Sequence, residues 1–546
     1  MLTLCVALAG FSGAAAAETA GPLPMAAFTP PPDATAPAGA LEGRLTVAFG
    51  RRPDGVSVLR DDAPPAGADH RLAWPVLEVD LAQDGDRLVP SVARRAGTER
   101  GDWDWSVGPG QAWPGPQGVV AVLPVALREL NANCVHNGHL RLTIAPDGGV
   151  RTTWVQIGAE TCLYYKFDAW TAAKARLVRQ SVSDRDSLIR RDRENRAAQA
   201  PVAPLAKLAA TDPGLDLQGL ANAAGDDEAV YGLVVDGVNY VAPCPTRYGE
   251  DPFCDGRELP SYSTAKSLVG GLGLMRLERL QPGLAARSLE SLVRDCRAPE
   301  PWTDVTLLNL LDMATGRYRS SANQADEDAP GTLPFFLSKT HTEKLAFACR
   351  GYPRRAAPGT AWVYHTSDSY LLGAALTEAL REAEGGDLYD DVLRPVWREL
   401  RLSPALDETR RTQDASAQPF VGWGVFLRRD DAARLGMFLS PAGRVEQDRL
   451  FDAMLIGQAL QRPGLEGGLP AGSSKLRYTH GFWARDISDL LGCPRPVWTP
   501  FLSGYGGISI VLFPNGVVFY AFGDAGRFDW GPAAAAANTV RALCHD

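Results

Sequence analysis

The feature that most limits the fold is a change in the spacing of apolar residues part-way along the chain. From about residue 41 to 168 apolar residues come in short alternating runs broken by Gly, Pro and Asp. Examples are RLTVAFG, WPVLEVDLA, GVVAVLPVAL, HLRLTIAPDGGVRTTWVQIG and TCLYYKF. A period of two is that of half-buried strands, and Asp147-Gly148-Gly149 marks a hairpin turn. Residues 41–168 are therefore expected to form an all-β accessory domain, a sandwich in outline. After it, 169–204 reads as a charged helical linker ending in APVAP. From 205 to 546 the character is mixed. Strand patterns stand at both ends (AVYGLVVDGVNYVAP and ISIVLFPNGVVFYAFGD), with helical spacing between them and a last helix in PAAAAANTVRALC. That order predicts an α+β domain whose antiparallel sheet is assembled from its two ends. No repeat of 20–50 residues is present.

The first seventeen residues, an apolar stretch followed by small residues up to Ala17, read as a secretory signal, and 18–40 as a flexible Pro/Ala-rich leader. Beyond the signal eight cysteines remain. An even number without any CxxC spacing fits disulfides in an oxidising compartment, so the chain is expected to be exported, to the periplasm or beyond the cell. Eight cysteines allow 105 connectivities. The segment boundaries favour neighbours in sequence: Cys134–Cys162, Cys244–Cys254, Cys296–Cys349 and Cys493–Cys544. A net charge of −9 excludes a nucleic-acid partner. No stretch is long and apolar enough for a membrane span.

The chemistry concentrates in LPSYSTAKSLVGGLGLMRLERL. Pro260 and the Ser/Thr cluster signal a helix start, which puts Ser263 and Lys266 one turn apart on one face. A serine hydroxyl attacks only when a base takes its proton, and a lysine serves as that base when burial lowers its pKa. The helix N-terminus points backbone N–H groups to where an oxyanion would form. Alone, an S-x-x-K pair is an ordinary occurrence, even with only seven lysines in 546 residues.

The segment resembles the nucleophile helix of the β-lactamase-related serine hydrolases: class C β-lactamases, penicillin-binding proteins, related esterases and nylon-oligomer hydrolases. Three further segments follow in the order of that family. DVTLLNLLDMATGRY is similar to its T-L-x-x-L-L-x-M-T-S-G helix, and PGTAWVYHTSDSYLLGAAL to its Y-x-N/S motif, with Tyr364 as the tyrosine, Thr366 at the Asn/Ser position and Gly373 closing it. GWGVFLRRDDAARLGMFL resembles a structural helix entry. In PFLSGYGGISIVLFPNG, Leu502-Ser503-Gly504 takes the place of the family's K-T-G or H-x-G, which makes the Tyr505 backbone N–H the second oxyanion donor beside that of Ser263. On its own Tyr364 reads as a core tyrosine. The resemblance implies instead a proton shuttle whose phenolate the Lys266 charge would favour.

Over about 215–546 the resemblance thus implies a β-lactamase/transpeptidase-like domain and acyl transfer through Ser263, with Lys266 and Tyr364 moving protons and no metal or cofactor. Thr366, Ser503 and Gly504 are implied at the substrate, and His480 and Trp483 in YTHGFW are candidates for the cleft or for aromatic packing. His136 and His139 read as turn or surface residues beside Cys134. Leu502 cannot bind a carboxylate as the family's lysine does, so an ester or amide of small size is expected, with a monomer as the default state. The alternatives are a β-lactamase or D-Ala-D-Ala peptidase, and an inactive binding protein. A G-x-S-x-G elbow, HExxH and nucleotide loops do not occur in the mature chain.

Overall fold

A computed structural model describes residues 21–49, 56–62, 73–92, 94–96, 101–225, 228–297, 301–383 and 385–544. The expected signal at 1–17 lies outside the described residues. Two sheets organise the molecule. The first has twelve strands among the described residues, and its neighbours are antiparallel throughout. It runs from Lys174–Arg179 at one edge through Gly43–Ala48, Val76–Asp84, Arg87–Pro90, Gly110–Gly115, Gly118–Glu129, Val135–Ile144, Val150–Thr161 and Lys166–Ala172 to Ser57–Asp62. Alternation is visible in Gly43–Ala48, where Leu45 and Val47 are buried while Arg44 and Thr46 are partly exposed. Instead of the two separate layers of a sandwich, this is one continuous sheet that curls. The edge strand Lys174–Arg179 comes back against Val150–Thr161.

Three expectations need correction here. Residues 174–179, expected in the helical linker, form an edge strand of the sheet. Ala175 and Leu177 alternate inward and outweigh the charges around them. The helix itself is Arg185–Ala198, docked through Ile189 on Ala82 and Val89 and through Asp192 on Arg87 at 2.7 Å. The leader is anchored from residue 21 on. Met25 and Phe28 are buried against Trp113, Val120 and Val122, and Leu23 exchanges two hydrogen bonds with the Gln156 side chain. Two anchors are too few to make a period, which is why the segment reads as unstructured. His136 and His139 lie within the strand Val135–Ile144 and are buried. His136 stacks on Phe167, and burial drives it down to about 3. His139 bonds Asp251 at 2.8 Å.

The second sheet has, among the described residues, nine strands: Val202–Pro204, Val238–Val241, Val230–Val235, Val518–Phe522, Ile508–Leu512, Trp498–Gly504, Phe482–Asp486, Leu476–Thr479 and Leu469–Pro470. Its centre joins the two ends of the 205–546 segment, as the sequence pattern predicts, because Val230–Val235 pairs with Val518–Phe522. The strand Val518–Phe522 is buried on both faces. Val518 and Tyr520 belong to the core shared with the helices Leu272–Leu280, Thr366–Ala383 and Arg429–Leu439, while Phe519 and Ala521 belong to the one shared with Leu217–Ala224 and Gly531–Val540. Helices on both faces of a mainly antiparallel sheet make this half α+β. Each such buried aliphatic or aromatic side chain contributes about 1.5–3 kcal/mol. All four disulfides are those between sequence neighbours. Among the described residues no helix is long and apolar enough to cross a membrane.

The halves meet over polar groups that are paired across the seam. Asp104 accepts from Arg410 at 2.8 and 2.9 Å and from Arg128 at 3.1 and 3.3 Å. The Asn137 carboxamide takes both backbone groups of Glu258 at 2.9 Å. Lys166 pairs with Asp524 at 2.7 Å.

Candidate active site

Ser263 sits where a short bridge at Leu259–Pro260 turns into a helix. Three successive tight bonds start that helix: Thr264 N–H to Ser261 O, Ala265 N–H to Tyr262 O and Lys266 N–H to Ser263 O, at 3.0–3.1 Å. The first turns from Lys266 to Gly271 are then wide, of π type, before a regular helix takes over at Leu272. The residue before Ser263, Tyr262, has φ +38°, a left-handed conformation that costs a tyrosine on the order of 1–3 kcal/mol. Ser263 is partly exposed, while Lys266 is buried.

Lys266 Nζ lies 2.8 Å from Ser263 Oγ, 2.9 Å from Thr366 Oγ1 and 3.4 Å from Gly422 O. Burial pulls its ammonium down to about 8, although the Glu327 carboxylate pulls the other way. An uncharged amine has two N–H donors and one lone pair. Thr366 and Gly422 account for the two donors, so the lone pair is left to face the Ser263 hydroxyl. Gly422 permits this approach, since a Cβ there would meet Thr366 Cγ2 at 2.7 Å.

Thr366 opens the helix Thr366–Ala383. Its N–H donates to Glu327 Oε2 at 3.0 Å, and its hydroxyl donates to Glu327 Oε1. Glu327 was not visible as a site residue in the sequence, where it is one acid in the polar run ADEDAP. Its loop is fastened next door by His365, whose Nε2 meets Asp326 at 3.1 Å and whose Nδ1 lies 3.6 Å from Asp368. Those carboxylates outweigh the burial of the ring and raise His365 to about 9, so it is an imidazolium at neutral pH.

The Tyr364 ring stands with its centroid 4.7 Å from Lys266 Nζ and stacks against Trp483. Burial, and then Glu327, push its hydroxyl well above the ordinary phenol range, while the hydrogen bond with Ser263 opposes them. The expected phenolate is therefore corrected: Tyr364 stays a neutral phenol, and Lys266, lowered to about 8, is the group whose free base is within reach near neutral pH. Trp483 joins Tyr364, Trp362 and Tyr478 in one aromatic cluster. His480 is buried with both ring nitrogens engaged, by Asp312 at 3.0 Å and Gln458 at 2.9 Å, so it braces the floor behind Lys266 and is not free for a substrate.

Leu502, Ser503 and Gly504 end the strand Trp498–Gly504. Gly504 lies so close to the turn that carries Ser263 that a Cβ on it would stand 2.7 Å from Ser261 O. Leu502 is wholly buried. Tyr505 follows at the strand end, about half exposed, with its ring 5.8 Å from that of Tyr262 and 6.3 Å from that of Tyr164. Tyr164, on the loop between Val150–Thr161 and Lys166–Ala172, donates to Glu129 at 2.5 Å. The first half of the chain thus comes to the neighbourhood of Tyr505, which the sequence did not announce.

Neither a family of known proteins nor any curated protein matches the chain by sequence. Solved structures similar to it include a D-stereospecific amidohydrolase from a Streptomyces species, 14% identical, covering 59% of this chain and 98% of that one, with a TM-score of 0.41. A class C β-lactamase in complex with cefoxitin is 15% identical, over 62% and 98%, with a TM-score of 0.41. EstCE1, a hydrolase with promiscuous acyltransferase activity, is 18% identical, over 58% and 98%, with a TM-score of 0.43. At these values the likenesses carry no argument about activity, which rests on the chemistry of the site.

Proposed function

We propose that the chain is an exported serine hydrolase that cleaves a small ester or amide through an acyl-enzyme on Ser263. The observation that carries the reading is the buried Lys266 amine, lowered to about 8, with its nitrogen 2.8 Å from Ser263 Oγ. As Ser263 Oγ attacks the carbonyl carbon, its proton passes to Lys266. The oxyanion that forms is held by the backbone N–H groups of Ser263 and Tyr505. When the carbon–heteroatom bond breaks, Tyr364 gives its proton to the leaving group and recovers one from Lys266. Water then takes the place of the leaving group, attacks the acyl carbon, and returns the proton to Ser263 by the same groups in reverse.

Thr366, Ser503 and Gly504 would border the bound acyl group. Wholly buried Leu502 supplies no cation there, which favours substrates without a carboxylate at that position. Four disulfides support residence in an oxidising compartment.

The test is intact-mass analysis after exposure to a fluorophosphonate and, separately, to a penicillin, with Ser263→Ala as control. One fluorophosphonate adduct that disappears in the variant is the expected result. A stable penicillin adduct would shift the reading to penicillin-binding chemistry. No adduct from either would overturn it in favour of a binding protein.

A further inference from the structure

Asn133 belongs to the first sheet, on the loop between Gly118–Glu129 and Val135–Ile144, yet it is wholly buried beneath the nucleophile turn. Its Oδ1 accepts from Tyr262 N–H at 2.7 Å, from Gly424 N–H at 2.9 Å and from the Ser261 hydroxyl at 3.0 Å. Its Nδ2 donates to Val425 O at 3.3 Å. One carboxamide therefore ties together the turn that presents Ser263 and the segment whose Gly422 O faces Lys266. Two backbone N–H donors fix the orientation of the amide, since only an oxygen can receive them.

We infer that Asn133 is a positioning residue for the nucleophile, supplied by the N-terminal sheet: it holds Tyr262 in its left-handed conformation and so keeps Ser263 Oγ within reach of Lys266. The inference rests on the Ser263 reading above. A strained residue persists only where its surroundings over-determine it, and the 2.7 Å bond to the Tyr262 N–H is the contact that does so here. Without it, Tyr262 relaxes toward negative φ and Ser263, its direct neighbour, moves with it. The cystine Cys134–Cys162 pins the same corner, joining the residue after Asn133 to the loop that carries Tyr164.

The experiment measures the second-order rate of fluorophosphonate labelling at Ser263, together with thermal melting, for the whole chain and three variants. Asn133→Ala removes all four bonds, and Asn133→Asp keeps an accepting oxygen. Asn131→Ala cuts only the same loop's bonds to Phe336 O and Leu337 O. A displacement of about 1 Å at the nucleophile is worth roughly 10²-fold in rate, which is the loss expected for Asn133→Ala. Asn133→Asp should stay within about tenfold and Asn131→Ala near the unmodified rate.

With an ester substrate the Asn133→Ala loss should fall on kcat, with KM little changed, because Asn133 lies under the turn and not in the cleft. Labelling of Asn133→Ala at the unmodified rate overturns the inference. So does an equal loss in Asn131→Ala, which would mean that the loop is merely structural. If Asn133→Ala does not fold, Asn133→Asp decides: a hundredfold loss at an unchanged melting temperature rules out the accepting oxygen, and a near-normal rate upholds it. An unmodified protein that does not label removes the Ser263 reading and this inference together.

Discussion

Glu327 grips Thr366 twice, at the backbone N–H and at the hydroxyl that receives the Lys266 hydrogen bond. A carboxylate thus sits two hydrogen bonds from the base and stabilises its charged form. Lys266 has a folded pKa of about 8, so its neutral, basic fraction is roughly one in ten at pH 7 and half at pH 8. On the proposed mechanism the labelling rate of Ser263 rises with pH through that value. Glu327→Gln removes the charge that raises Lys266, so the midpoint should move down by about half a unit to one unit. A midpoint that stays put or moves up would detach Lys266 from the rate.

Tyr364→Phe tests the leaving-group proton. Its effect should depend on the leaving group, because a nitrophenolate departs unaided and an alkoxide or amine does not. A kcat loss of about 10²–10⁴-fold on an alkyl ester, with a much smaller loss on the nitrophenyl ester of the same acid, is expected. Equal losses on both would make Tyr364 a packing residue.

How far the site could be read from the sequence follows the distance over which each residue acts. Ser263 and Lys266 are one turn apart, and Tyr364 and Thr366 are two residues apart, so each pair falls within one short segment that a family resemblance can pick out, although neither spacing is distinctive alone. The cystines were legible for the same reason, each joining the two ends of one local segment. Glu327 and Asn133 act across folds of the chain. Nothing in ADEDAP or LNANC distinguishes an acid that holds Thr366, or an amide that holds Tyr262, from an ordinary loop residue. The edge strand Lys174–Arg179 was hidden by its charges, and the left-handed Tyr262 had no local signal at all. The resemblance misled on the Tyr364 charge state, because burial and Glu327 both act against a phenolate.

Lys344 is a second buried lysine, donating to Phe335 O at 2.9 Å with the rings of Phe335, Phe420 and Trp423 each 5.0 Å from its nitrogen. Burial pulls it down to about 7 from an ordinary 10.5. Between those values the unfolded chain binds more protons than the folded one, so this group makes stability rise as pH rises from 7 toward 10.5 and adds no slope below 7. Lys344→Met should flatten that rise and leave the variant more stable than the parent at pH 6. Urea midpoints at pH 6 and 9 read both effects, and an unchanged slope would refute them.

Asp104 is the acid on which Arg128 and Arg410 converge at the seam of the two halves. The two guanidiniums hold its carboxyl far below the usual carboxylate range. Asp104→Asn should cost about 3 kcal/mol, since it strands Arg410 against the Phe426 ring without its acid. Asp104→Asn with Arg410→Met should recover much of that loss. Urea unfolding of both variants measures it, and additive losses would show that the two residues do not act as a pair.

The bonds from Asn133 reach 129 residues forward to Tyr262 and 291 forward to Gly424, and the strand beside the nucleophile arrives later still, at Trp498–Gly504. In chain order the brace precedes the serine it serves, and that serine's last neighbours come from the strand Trp498–Gly504. Without both contacts Ser263 would lack the geometry on which the proposed mechanism rests. On the proposed mechanism, activity therefore needs the early brace and the late strand together.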